Sequence, residues 1–196
     1  ALKQKIIGNG EKRVVTYAPT WREDDFISVG HYHFRWHFSL KKMMGLLPED
    51  VMLLIRPHYL VTDRIDIKGF EDRVVIDSTT DMNEIYLITD LMVTDYSSVM
   101  FDFAILKRPM LFFAYDLEYY RDDLRGFYFD YYTELPGPIV TDETHLLAEI
   151  DQLLQNNFAE LDPERFNKFA KRFVSWERGT AAQQVIEKIN YRRDEK

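Results

Sequence analysis

Residues 91–106 read LMVTDYSSVMFDFAIL. The opening LMVT is a short apolar run suited to a strand buried on both faces, and SVMFDFAIL has the length and spacing of a helix. A strand that passes into a helix through Asp95, Tyr96, Ser97 and Ser98 predicts the βα turn of a parallel sheet. The first turn of a helix presents unpaired N–H groups and the positive end of its dipole, which together favour an anion. Ser97 and Ser98 would add hydroxyl donors there, although serines at this position also serve as plain helix caps.

Working outward, RVVTYA (13–18), VMLLI (51–55), RVVI (73–76) and PMLFFA (109–114) are apolar runs of the same kind. HFSLKKMMGLL (37–47) and DMNEIYLIT (81–89) lie among them with helical length and spacing. The alternation predicts right-handed crossovers and an α/β fold, a Rossmann-like doubly wound parallel sheet. Beyond it, residues 142–192 read as a helical carboxyl-terminal part. Leu146, Leu147, Ile150, Leu153 and Leu154 form one stripe, and Phe166, Phe169 and Phe173 form another after Asp162 and Pro163. A last helix is expected from Thr180, where Thr180 and Gln183 have capping-box spacing and Val185, Ile186 and Ile189 share a face. Residues 1–12 are expected to be a linker, and 1–196 a single domain.

The chain has 196 residues, 46% of them hydrophobic, which is enough for one substantial core. A formal charge of −8 argues against a nucleic-acid-binding surface, so any anion site must be local. Without cysteine there are no disulfides, thiolate chemistry or cysteine-ligated metals, which fits a cytoplasmic setting. No apolar run approaches the roughly 20 residues that span a bilayer, and the amino-terminal stretch lacks the hydrophobic centre of a signal peptide. The first residue is Ala1 rather than methionine, and the chain reads as an excised domain.

Ligands of an open α/β sheet bind beyond the carboxyl ends of its strands. Four such ends carry PTWRED (19–24), RPHY (56–59), DSTTD (77–81) and DYSS (95–98), a rim that suits a phosphorylated or nucleotide ligand. Arg22 and Arg56 offer forked, charge-assisted bonds to phosphate, or else pair with nearby acids such as Glu23 or Asp24. His58, placed by Pro57, can donate to an anion or move a proton near neutral pH. Asp95 and Asp102 are candidates for sugar or polyol hydroxyls. HYHFRWH (31–37) has His-x-His spacing, but it contains no acid and aromatic loop packing explains it as well, so no metal is assigned. The phosphate loop of ATPases is absent, and GNG at 8–10 lacks the third glycine of a dinucleotide fingerprint.

The ordered set YAPTWR, RPHY, TDYSSVMFDFA, KRPMLFFAYDLEYYRDDLRGFYFDY and PGPIV resembles the CDP-glycerol glycerophosphotransferase family of teichoic-acid primases and polymerases. The resemblance implies the carboxyl-terminal, donor-binding half of a GT-B glycosyltransferase-like enzyme. That enzyme transfers glycerol phosphate from CDP-glycerol to a lipid-linked polyol-phosphate acceptor and releases CMP. It implies that Ser97, Ser98, Arg56 and Arg22 meet the donor pyrophosphate and that His58, in the family's R-x-H motif, is catalytic. It also implies that Ser78, Thr79, Asp81, Asp95 and Asp102 face the nucleotide or polyol. The sequence itself calls for no cofactor and leaves dependence on a divalent metal open. The family's acceptor domain carries a histidine in a W-H-G-T-type motif. RWHF (35–38) is no substitute for it, so the chain is expected to bind donor without polymerising. The parent protein is expected on the cytoplasmic face of the cell membrane. A CDP-ribitol donor, and a non-catalytic nucleotide-binding module, stay open as alternatives.

Overall fold

The computed structural model of the chain describes residues 1–8, 10–61, 64–159 and 162–194. Helix α1 (Leu2–Ile7) precedes strand β1 (Arg13–Ala18), which is followed by a small hairpin of β2 (Phe26–Ser28) and β3 (His31–Tyr32). Helix α2 (Leu40–Leu46), β4 (Val51–Ile55), β5 (Val74–Ile76), α3 (Met82–Ile88), β6 (Leu91–Thr94), α4 (Val99–Ala104) and β7 (Met110–Phe113) come next. After β7 the chain forms α5 (Leu117–Tyr119), a π-helical turn (Tyr120–Leu124), α6 (Tyr131–Glu134) and β8 (Ile139–Val140). Three helices close it: α7 (Glu143–Gln155), α8 (Pro163–Phe173) and α9 (Ala181–Asp194).

The main sheet has six strands in the order β5-β4-β1-β6-β7-β8, and every neighbouring pair is parallel. Strand period sorts the apolar residues onto two faces. Val15, Tyr17, Leu53, Ile55, Leu91, Val93, Leu111 and Phe113 pack with Met43 and Met44 of α2 and Leu146, Ile150 and Leu153 of α7. On the other face, Met92, Met110 and Phe112 pack against Met100 and Phe103 of α4 and Phe166 and Phe169 of α8. Val14, Met52 and Leu54 pack against α1 and α3. Helices therefore cover both faces, as a doubly wound sheet requires.

Local chemistry sets the boundaries. Ser39, Asp81, Asp142 and Asp162 cap α2, α3, α7 and α8 by accepting N–H groups of the first turn, and Pro163 sits where a missing N–H is harmless. A Cβ on Gly137 would stand 1.9 Å from the Met110 carbonyl oxygen, so only glycine lets the chain come close enough for β8 to join β7.

Three expectations are corrected. The supposed linker 1–12 contains α1, whose Ile7 is buried against Ile85 and Ile88 of α3. The capping box at Thr180 does not form: Gln184 Nε2 donates to Thr180 Oγ1, while Gln183 reaches Glu187. Strand β8, absent from the strands expected, adds an edge to the sheet. The apolar face of α9 is uncovered, with Val185, Ile186 and Ile189 all exposed.

Candidate functional site

The strand order reverses direction at β1, with β4 on one side and β6 on the other. The loops after β1 and β6 flank that switch point, the place where ligands of open α/β sheets bind, and here hydrogen bonds join them to each other. The carboxyl ends of β4, β5 and β7 complete the rim.

Asp95, the first residue after β6, is 1% exposed. Its Oδ1 accepts from Thr20 N–H at 2.9 Å, from Thr20 Oγ1 at 2.6 Å and from Tyr96 N–H at 2.7 Å. Arg22, from the loop after β1, donates from Nη2 to Asp95 Oδ2 at 3.0 Å and from Nε to Asp116 Oδ2 at 2.6 Å. It also donates from Nη2 to Asp116 Oδ1 at 3.0 Å and from Nη1 to the Thr20 carbonyl at 2.6 Å. The rings of Tyr96, Tyr115 and Tyr120 surround the guanidinium at 5.0, 5.0 and 5.6 Å. Burial works against the charged form of Arg22, yet Asp95 and Asp116 hold its pKa above the ordinary value. Burial pushes the Asp95 carboxyl upward against the pull of Arg22. These side chains are committed to one another, so Arg22 is not presented to a phosphate and Asp95 is not presented to a sugar. Neither of the neighbouring acids considered from sequence is Arg22's partner here. Asp24 instead accepts from Tyr119, and Glu23 pairs with Arg125.

The two serines behave differently. Ser97 Oγ accepts the Val99 N–H at 3.4 Å, whereas Ser98, at the N-cap position, makes no side-chain capping bond. Ser98 is exposed and opens onto a cavity of about 570 Å³ shared with Tyr96, Arg125, Phe127, Tyr128 and Arg172.

On the other side of the switch point, Arg56 Nη1 donates to the Asp77 carbonyl at 2.9 Å and approaches its Oδ1 at 3.4 Å. Burial disfavours the Asp77 carboxylate. Bonds from Thr80 Oγ1 and from the N–H groups of Thr80 and Thr79, with Arg56 nearby, nevertheless hold its pKa below the usual range. Asp77 thereby shapes the turn that exposes Ser78 and Thr79. Asp81 accepts from Asn83 N–H and Nδ2, which is a helix cap.

His58 Nδ1 accepts the Leu60 N–H at 3.3 Å, which assigns the proton of the neutral ring to Nε2. Burial lowers its pKa. Its ring lies 5.8 Å from that of Trp21 and 4.4 Å from that of Tyr59. His58 lines a cavity of about 30 Å³ with Trp21, Arg22, His33, His37 and Tyr115. Asp102, one turn after Ser98 on α4, is hydrogen-bonded to Tyr86 and lines a third cavity beside Trp176 and Val185, which shares Phe101 and Phe173 with the Ser98 cavity.

Sequence reasoning did not single out Asp116 or the tyrosines. Asp116 follows β7 two residues after Ala114, so the strand-end rule that selected Asp95 could have found it. The aromatic reading of 31–37 describes what forms: His37 stacks on Tyr115 at 3.5 Å, and Trp36 lies edge-on to Phe34 and Phe38. Among the described residues there is no cluster of metal-ligating side chains, and no helix is long and apolar enough to cross a membrane.

A parallel sheet in this order, with its polar rim at the switch point, defines one Rossmann-like half of a GT-B glycosyltransferase-like fold. Residues 2–191 match the CDP-glycerol:poly(glycerophosphate) glycerophosphotransferase family, and the chain belongs to it. A teichoic acid glycerol-phosphate transferase of Staphylococcus aureus is 45% identical over 180 residues, covering 91% of this chain and 45% of the relative. A teichoic acid poly(glycerol phosphate) polymerase of Bacillus subtilis is 40% identical, covering 96% of this chain and 25% of the relative. The solved wall teichoic acid polymerase TagF is 38% identical with a TM-score of 0.79, covering 99% of this chain and 48% of that one. The chain thus spans about half the length of these proteins, or less. A UDP-N-acetylglucosamine 2-epimerase of Listeria monocytogenes, 15% identical with a TM-score of 0.55, shares the fold.

Proposed function

We propose that the chain is the donor-binding part of a CDP-glycerol-dependent glycerophosphotransferase of teichoic-acid or related envelope-polymer synthesis. The observation that carries this is the uncapped Ser98 hydroxyl at the switch point, in a chain that aligns over 98% of its length with a TagF variant soaked with CDPG. Ser97, Ser98 and Arg56 receive the donor pyrophosphate, with Ser78 and Thr79 on the nucleotide side. Because the Arg22 cluster is internally paired, neutral donors and Arg56 do the work that an arginine pair was expected to do.

The reaction is displacement at the phosphorus that bears glycerol. An acceptor hydroxyl forms the new P–O bond, its proton passes to a base, and the bridging P–O bond breaks with its electron pair leaving on CMP. A neutral His58 stabilises the charge growing on the departing phosphate through Nε2–H. The acceptor, a lipid-linked polyol phosphate at the cytoplasmic membrane face, is engaged outside residues 1–196, so the chain alone binds donor without making polymer. A CDP-ribitol donor is the second reading, favoured by a poly(ribitol-phosphate) polymerase of Bacillus spizizenii that is 30% identical over 94% of this chain.

Calorimetry with CDP-glycerol, CDP-ribitol, CMP and a UDP-sugar tests the proposal. Preference for CDP-glycerol is expected. A UDP-sugar that binds as tightly overturns the donor assignment, and tighter CDP-ribitol establishes the second reading.

A further inference from the structure

The Arg22 cluster joins four separate segments of chain. Arg22 and Thr20 come from the loop after β1, Asp95 and Tyr96 from the loop after β6, Tyr115 and Asp116 from the loop after β7, and Tyr120 and Tyr131 from beyond it. Tyr96 is held at each end: its ring stacks on Tyr120 at 3.7 Å and its hydroxyl donates to Asp116 Oδ1 at 2.8 Å. Tyr131 donates to the Asp95 carbonyl oxygen at 3.0 Å. Both side chains and the carbonyl of the Asp95–Tyr96 pair are therefore fixed, and Ser97 and Ser98 follow directly.

We infer that Arg22, clamped between Asp95 and Asp116, is a positioning residue that sets the place of the Ser97–Ser98 turn. The inference rests on the proposed donor site, which gives that placement its purpose. The planar guanidinium is what makes the clamp: its Nε and Nη2 face Asp116 side-on while Nη2 also reaches Asp95, a fork that a lysine ammonium cannot reproduce. An element that served stability alone would need no such geometry. Replacing buried ion clusters with uncharged packing is often neutral for stability, whereas displaced binding groups are lost to the ligand.

The test compares the wild-type chain with Arg22→Lys and Asp116→Asn. Hydrogen exchange is followed in peptides covering 95–99, with 77–81 and 84–88 as internal controls, alongside thermal melts and CDP-glycerol calorimetry. Exchange at 95–99 is expected to accelerate by about tenfold or more, with the controls unchanged, in variants that still melt cooperatively. Donor affinity is expected to fall by about tenfold. Unchanged exchange at 95–99, or acceleration spread equally over the controls, overturns the inference. If Arg22→Lys does not fold, Asp116→Asn decides. If the wild-type chain binds no CDP-glycerol, it is the donor-site proposal that fails, and the exchange pattern still decides whether Arg22 positions the turn.

Discussion

The Leu60 N–H points at Nδ1 of His58 from 3.3 Å, which leaves Nε2 as the donor of the neutral ring. Under the proposed role, such a donor would interact more strongly with a developing phosphate charge than with a ground state whose charge is already spread, and its contribution would belong mainly to the transition state.

Replacing the matching segment of the Staphylococcus aureus transferase with this chain would allow turnover to be measured. His58→Ala is expected to lower kcat much more than it changes the donor KM. Ser98→Ala is expected to weaken donor binding by about 1.5–3 kcal/mol, the range for a hydrogen bond to a charged group. Near-normal kcat in His58→Ala would reduce His58 to a loop-packing residue, and unchanged donor affinity in Ser98→Ala would remove Ser98 from the site.

Burial lowers the His58 pKa, so the unfolded chain binds a proton more readily than the folded one. The stability this contributes is present above the unfolded pKa of about 6.5 and is lost as pH falls through the lower folded value. Urea midpoints from pH 7 to about pH 5 should therefore decline less in His58→Gln than in wild type. Parallel declines would show that His58 is not the group responsible. The paired carboxylate of Asp77, whose pKa is also lowered, loses its contribution further down, beginning near pH 4.

Gly137→Ala is expected to destabilise the chain by about 3 kcal/mol, because the new methyl overlaps the Met110 carbonyl and the β7–β8 edge must move. Gly45→Ala is its control. Nothing lies within 4 Å of that Cβ and the residue is within α2, so the change should stabilise by up to about 1 kcal/mol. Equal melting temperatures for the two variants would contradict the close approach of Gly137 to β7.

The strands were legible because burial on both faces leaves uninterrupted apolar runs, so β1, β4 and β6 begin and end where those runs do. Ile139–Val140 is too short to carry a period, and β8 is recognisable only by what Gly137 allows. In the site, the rim was legible from the strand ends, but the partners of Arg22 were not. Its carboxylates lie 73 and 94 residues away in sequence, while Glu23 and Asp24 stand beside it. Only the strand order, which places β6 next to β1, decides between near and distant acids.

The strand order also bears on how the chain is made. β1 pairs with β4 through Arg13–Val51 to Tyr17–Ile55, but its other edge waits for Leu91–Thr94. During synthesis from the amino terminus, an apolar strand destined for the middle of the sheet has one open edge throughout the translation of β5 and α3. A ribosome stalled before Thr94 would hold a nascent chain whose central strand β1 has an edge open to pairing with a neighbour's, an interval in which a chaperone is expected to lower aggregation.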